Sequence, residues 1–393
     1  MDDLLALPFD RSGVLGVAPL LRSLQAERPI VRVRTSVGDE AWLVTRHEDV
    51  FALLADHRLG TSHPAPEQAA RATNSALFGG ARGNYKTEQA DHAQMRALLA
   101  PSFSARRMRA LQPRIEGWVD QLLNRLADAT RPADLHEALS VPLPVLVICE
   151  LLGVPYADRD RFRAWSDGAG DIVDRKRSQQ SLTALIGYMH ELMERKRADP
   201  AEDVISDLIA AQDDGLGDDR IAALSAGLLF AGHATTVERI DLGTLLLLTN
   251  PGQRDALLRD PDLVSSTVEE ILRCMPGGGG GLPRYARADL VIDGVTIRAG
   301  ELILLDLAAA NHDGRTFPEP DRFDIARTPN PHVTFGYGSH YCIGATLARV
   351  ELRAVFSRLF TCFPTLRLAV PVDQLRPRSR ILAGGLHALP VEW

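Results

Sequence analysis

The chain has 393 residues, with 44 Lys and Arg against 51 Asp and Glu, a formal net charge of −7, and 45% apolar residues. That length can bury a sizeable core, while the mild acidity, with basic residues scattered rather than gathered in a stripe, excludes an electrostatic footprint for nucleic acid or an anionic membrane surface. Cys149, Cys274, Cys342 and Cys362 form no CxxC pair and lie far apart, which excludes a disulfide scaffold or zinc ribbon.

The N-terminus opens with Asp2 and Asp3 where a signal peptide needs positive charge. No charge-free apolar stretch reaches the roughly 18 residues of a membrane span, so a soluble, cytoplasmic protein with no membrane partner is expected. Residues 30–44 (IVRVRTSVGDEAWLV) alternate about Gly38-Asp39 and predict a hairpin. From 91 to 126 apolar residues recur every three or four positions, with Pro101 and Ser102 breaking the run into two helices. Helical periodicity continues over 143–152, 181–197, 202–212, 218–250, 252–259, 263–273 and 342–362. The 218–250 stretch is the longest and is apolar on nearly every face, the pattern of a helix running through the middle of a large protein. A second alternating segment, 290–304, turns about Asp293-Gly294. No repeat, low-complexity linker or run of like charge marks a boundary. The pattern predicts one mainly α domain over 1–393 with a small β-rich part at approximately 30–60, 282–310 and 364–393.

The most informative segment is 332–349, HVTFGYGSHYCIGATLAR. Gly336 and Gly338 allow a tight loop, and Ile343, Leu347 and Val350 then set a helical stripe, so Cys342 is expected at a helix N-terminus. Unpaired N–H groups there stabilise a thiolate. A single cysteine thiolate below haem iron favours O–O bond cleavage. Taken alone, a cysteine is more often a small buried hydrophobe; the glycines and the helix start favour a ligand.

This segment resembles the haem-binding loop of the cytochrome P450 family, F-x-x-G-x-x-x-C-x-G, which Phe335, Gly338, Cys342 and Gly344 satisfy. The resemblance runs through nearly the whole chain and is strongest to soluble bacterial members. It implies a large helical haem-binding domain with a small β-rich subdomain, haem b (iron protoporphyrin IX) as cofactor, and Cys342 as the metal ligand, framed by Phe335, Gly336, His340 and Gly344. Glu270 and Arg273 in EEILR, with Arg322 in PDRF, match the family's buried structural ion-pair network. His92, Arg96, Arg284 and His340 occupy its propionate-binding positions. Ala231, Gly232, Ala234 and Thr235 match the oxygen-binding groove, where small residues make room for dioxygen and the Thr235 hydroxyl hydrogen-bonds it or an ordered water. Loops near 61–90 and 165–200 are expected to contribute to the pocket.

Two departures stand out. Ala234 replaces the acid expected to help carry protons, which leaves three explanations: water held by Thr235 and the substrate, Glu238 one turn later, or an enzyme that does not activate dioxygen in the usual way. Fungal nitric oxide reductases of the family also carry Ala there. The run 277–281 is all glycine, which predicts a roomy pocket or a flexible surface loop.

The reading implied is a monooxygenase of bacterial secondary metabolism that hydroxylates or epoxidises a bulky hydrophobic small molecule. Dioxygen is the co-substrate, and electrons come from NAD(P)H through ferredoxin reductase and ferredoxin. The ferredoxin is expected to dock near Arg349, Arg353 and Arg106 or Arg107. The alternatives are nitric oxide reduction or oxidative coupling, and a non-catalytic relative that activates a partner, which intact Cys342 disfavours.

Overall fold

The computed structural model describes residues 4–212, 216–278 and 280–393. By packing, the chain divides into two compact units interleaved along the sequence. One comprises Met1–Asn74, Phe78–Asp91 and Ser265–Cys342; the other comprises Ser75–Leu77, His92–Val264 and Ile343–Trp393.

The first unit is built on a six-stranded sheet. Its spatial order is Leu5–Ala6, Ile30–Arg34, Glu40–Val44, Leu302–Leu305, Leu282–Ala286 and Leu59–Gly60. The expected hairpin pairs Ile30 with Val44 and Arg34 with Glu40, and Gly38 turns it at φ +94. Leu302–Leu305 lies near the middle, and all four of its residues are buried, as a strand covered on both faces requires. The segment 290–304 divides: Leu290–Ile292 and Val295–Ile297 form a separate two-stranded hairpin. Asp293 (φ 47) and Gly294 (φ 76) supply the two positive φ angles that such a turn needs. Helices Pro19–Glu27, His47–Ala55 and Leu307–Asn311 belong to this unit. The last is capped by Asp306, whose Oδ1 accepts from the Ala309 N–H at 2.9 Å.

The second unit is helical and centred on Asp218–Thr249. Every residue from 239 to 247 of this helix is buried, because Arg175–Ala198, Pro142–Leu152 and Ala345–Phe356 pack around it. Among the described residues it alone is long and apolar enough to cross a membrane, and half of its most apolar window is buried inside the protein. Two expectations are corrected here. The C-terminal strands, Arg367–Leu368 and Pro390–Glu392, pair with Ala133–Asp134 in a sheet of their own, not with the sheet of residues 30–60 and 282–305. The helix expected over 342–362 is two, Ala345–Phe356 and Leu359–Cys362.

Candidate cofactor site

In the first unit, the loop before Cys342 is folded by its own backbone. Gly336 (φ +70) donates to the Val333 carbonyl at 2.8 Å, Tyr341 to Gly338 at 3.1 Å, and Cys342 to Phe335 at 2.9 Å. Gly338 is required twice over: its φ is +71, and a Cβ would stand 3.0 Å from the Leu54 carbonyl oxygen. Tyr337 anchors the loop by its ring, 4.1 Å from that of Phe51. Cys342 is exposed. It precedes the helix N-cap, Gly344, by two residues, and the dipole's influence falls off within the first turn. The loop hydrogen bonds, rather than the expected helix start, therefore position the thiol. Two of the other cysteines contrast with it: burial pushes the Cys149 and Cys274 thiols up to about 12, leaving them inert. Cys362 is exposed like Cys342, but it lies at the end of the short helix Leu359–Cys362 and not in a glycine-turned loop.

The same unit holds Arg284 on the strand Leu282–Ala286, only 7% exposed. Its one hydrogen bond among the described residues runs from Nη1 to the Pro283 carbonyl at 2.8 Å. A buried guanidinium without an anion is costly unless a ligand supplies one. His340 ends the short turn Gly338–His340.

Glu270 and Arg273 form the buried pair that their spacing predicts, both fully buried and joined by two bonds of 2.7 Å. Arg322 is a correction. Its side chain is 57% exposed and pairs with Glu319, and only its backbone carbonyl takes part, accepting from Arg273 at 3.2 Å. The second arginine on Glu270 is Arg327, 9% exposed, with Nε 3.2 Å from both carboxylate oxygens. The Asn330 amide and the Asp324 N–H complete the shell at 3.1 and 3.0 Å. These donors hold the Glu270 carboxyl below its usual range against the opposing effect of burial.

The glycine run is a second correction. A Cβ at Gly277 would collide with that of Ala308, one at Gly278 would lie 3.0 Å from the Phe9 carbonyl, and one at Gly281 (φ +58) 2.8 Å from Leu304 Cβ. The Ala18 and Phe9 N–H groups donate to the carbonyls of Gly277 and Gly278 at 2.9 and 2.8 Å. These glycines admit neighbouring backbone rather than opening a pocket. Gly280 has open space beside it, and Gly279 lies outside the described residues.

In the second unit, His92 and Arg96 stand four apart on the helix Glu88–Leu99, both partly buried. On the long helix Ala231 and Thr235 are exposed and Ala234 and Glu238 half-buried, a stripe at i, i+3, i+4 and i+7. The Thr235 hydroxyl donates to the Ala231 carbonyl at 3.0 Å, which leaves its oxygen able to accept. Glu238 pairs with Arg239 at 2.6 Å and lies under the Gly384 backbone. Gly232 turns the other way: Ile148 fills the space beside it, its Cγ1 2.9 Å from where a Cβ would be. Glycine there serves helix packing, not room for dioxygen. His233 is buried edge-on to Phe162, its Nδ1 2.6 Å from the Leu229 carbonyl. Arg107 is committed to Asp207 at 2.8 Å, which withdraws it from the surface cations expected for docking; Arg106 is exposed.

Among the described residues no cluster of three or more His, Cys, Asp or Glu could hold a metal ion. An exposed thiol on a pinned loop and a desolvated guanidinium short of an anion fit the thiolate and propionate demands of haem.

Comparison with known proteins agrees. The family profile described as Cytochrome P450 matches residues 171–377. The chain is 48% identical to the pentalenolactone synthase of Streptomyces exfoliatus, covering 100% of both. It is 40% identical to the mycinamicin IV hydroxylase/epoxidase of Micromonospora griseorubida, covering 99% of this chain and 98% of that one. The crystal structure of PimD, a pimaricin epoxidase, superposes at a TM-score of 0.87 with 43% identity and full coverage of both chains. On these matches, the chain belongs to the cytochrome P450 family of haem b monooxygenases.

Proposed function

We propose that this protein is a cytoplasmic oxygenase of bacterial secondary metabolism. It inserts one atom of dioxygen into a C–H or C=C bond of a bulky hydrophobic substrate, with electrons from NAD(P)H through ferredoxin reductase and ferredoxin. The observation that carries this reading is Cys342, exposed on its glycine-turned loop, in a chain where Cys149 and Cys274 are buried and inert and the other exposed cysteine, Cys362, ends a short helix with no such loop.

Haem bound through a cysteine thiolate supplies the two-electron activation of dioxygen. In this chain Cys342 would hold the haem iron through its thiolate, and His92, Arg96, Arg284 and His340 would hold the propionates by charge-assisted hydrogen bonds. Thr235 presents a hydroxyl oxygen that can accept a proton-bearing partner while its own hydrogen stays on the Ala231 carbonyl. Ala234 cannot relay a proton. Glu238, on the same helix stripe and one turn beyond Thr235, is the carboxylate best placed to do so. Arg106, Arg349 and Arg353 offer the positive charge for an acidic ferredoxin.

The ferrous carbon monoxide complex tests the ligand: a strongly red-shifted Soret band is expected, and Cys342→Ser abolishes it. An ordinary band in the unaltered protein would overturn the reading. Ala234 favours a second reading within the same family, nitric oxide reduction or oxidative coupling. Single-turnover product analysis, with and without a nitric oxide donor, separates the two.

A further inference from the structure

Next to Arg284, the first unit carries a second guanidinium that the family resemblance leaves without a role. The strand Leu59–Gly60 pairs with Tyr285 and Ala286. One residue past that pairing, the Thr61 carbonyl accepts from the Arg82 N–H at 2.8 Å. The continued register sets Thr61, and with it the backbone of Arg82, level with Arg284. Arg82 lays its guanidinium over the Phe78 ring at 4.3 Å. Among the described residues that guanidinium has neither a hydrogen bond nor an ion pair.

Among the described residues the carboxylate with an electrostatic hold on both arginines is Glu88, and it is already saturated. It accepts from the Thr61 N–H at 2.5 Å, the Thr61 hydroxyl at 2.8 Å, the Ser62 N–H at 3.3 Å and the Ser62 hydroxyl, and from Arg287 at 2.8 Å. Gly60 makes room for it, since a Cβ there would sit 2.5 Å from Oε2. A carboxylate has about four lone-pair sites, so none remains for Arg82 or Arg284. Three guanidiniums, Arg82, Arg284 and Arg287, thus lie within reach of the field of one carboxylate that bonds only Arg287. Burial pushes the pKa of both Arg82 and Arg284 down to about 10, and the charge of Arg82 adds to the effect on Arg284. Both therefore remain cations at neutral pH.

We propose that Arg82 and Arg284 form a two-guanidinium clamp for a carboxylate ligand, with Arg82 as the added binding residue. The carboxylate comes either from a haem propionate or from the substrate, and the inference rests on the haem reading above. A planar fork seated over the Phe78 ring has less freedom to lose on bidentate carboxylate recognition.

The holoenzyme distinguishes the two sources. Arg82→Gln and Arg82→Lys are compared with the unaltered protein in two measurements: the rate of haem loss to excess apomyoglobin, and Soret-shift titrations with dodecanoic acid and its methyl ester. If the clamp holds a propionate, Arg82→Gln speeds haem loss by roughly tenfold or more and leaves the acid-to-ester affinity ratio unchanged. If it holds a substrate carboxylate, the unaltered protein prefers the acid by roughly tenfold or more, and Arg82→Gln erases the preference while haem loss stays the same. Arg82→Lys, which keeps the charge without the fork, recovers part of either effect and guards against a glutamine variant that folds poorly. Haem retention and acid preference both at unaltered levels in Arg82→Gln would overturn the clamp. Absence of the red-shifted carbon monoxide band from the unaltered protein would instead sink the haem reading itself.

Discussion

Arg322 and Arg327 stand five residues apart in the same loop, and only one of them places its charge on Glu270. The spacing of Glu270 and Arg273 is legible in the sequence because three residues on a helix put two side chains on one face. Which later arginine completes the network is not, since that depends on how an irregular loop turns. Arg322 faces solvent, and an exposed ion pair contributes between nothing and about 1 kcal/mol. Arg327 shares its one Nε–H between the two oxygens of a buried carboxylate and, among the described residues, donates three further hydrogen bonds to the carbonyls of Pro318, Glu319 and Arg322. Arg327→Ala is therefore expected to lower unfolding stability by roughly 1.5–3 kcal/mol, with Arg273 still present to neutralise Glu270. Arg322→Ala should fall within about 1 kcal/mol of the unaltered protein. Urea midpoints for the two variants check this; the reverse order would return Arg322 to the network.

Between elements, glycines decide how closely backbone and helix approach. At Gly232 the long helix meets Pro142–Leu152 through Ile148, and at Gly277 the chain meets Ala308 and the residues before Pro19. Both positions read from sequence as open space, because a missing side chain looks the same whether the room is empty or taken by a neighbour. Gly232→Val is expected to cost about 1–3 kcal/mol as the added methyls are forced onto Ile148. In an Ile148→Ala background the cavity accepts them, so the double variant should lose less than the sum of the singles. Strict additivity in a double-mutant cycle would show that the two residues do not compete for that space. Long periodic elements such as 218–249 and 142–152 were legible, because their apolar faces dictate the helix. The helix Arg159–Ala169 was not. Its buried positions are Phe162, Ser166, Gly168 and Ala169, of which only the phenylalanine is a large apolar residue. The two-residue strands Ala133–Asp134 and Arg367–Leu368 carry no alternation to read, and distant partners define them.

At the scale of the whole molecule, pH acts on both units through histidines buried as neutral groups. His312, in the first unit, is 6% exposed, with Nδ1 2.9 Å from the Ala308 carbonyl. Burial, aided by the charges of Arg273 and Arg22, pushes its pKa from 6.5 down to about 4. His233, in the second unit, is lowered by burial as well. A histidine depressed in the folded state contributes stability above its unfolded pKa and loses it as pH falls toward the folded value. Each such group therefore removes up to about 1.4 kcal/mol per pH unit below 6.5. His136 does not offset this. Its pKa is raised in the folded state, with burial opposing the 2.7 Å bond to Asp241, so its contribution is already complete below the unfolded value and changes only on the alkaline side. Carboxylates held low, among them Glu270 and Glu88, begin to matter only as pH drops below their ordinary value of 4.5. Between pH 6.5 and 5 the two neutral histidines are opposed by the buried carboxyls of Glu351 and Asp241, which burial raises and which therefore favour the folded state as pH falls. Urea unfolding across that range isolates the histidine's part by difference: His312→Asn, which cannot take a proton, should lose less stability per pH unit on acidification than the unaltered protein, by one histidine's share, whatever it costs at pH 7. An unchanged slope in His312→Asn would mean that His312 is protonated in the folded protein, and that its burial is compensated by a partner other than the Ala308 carbonyl.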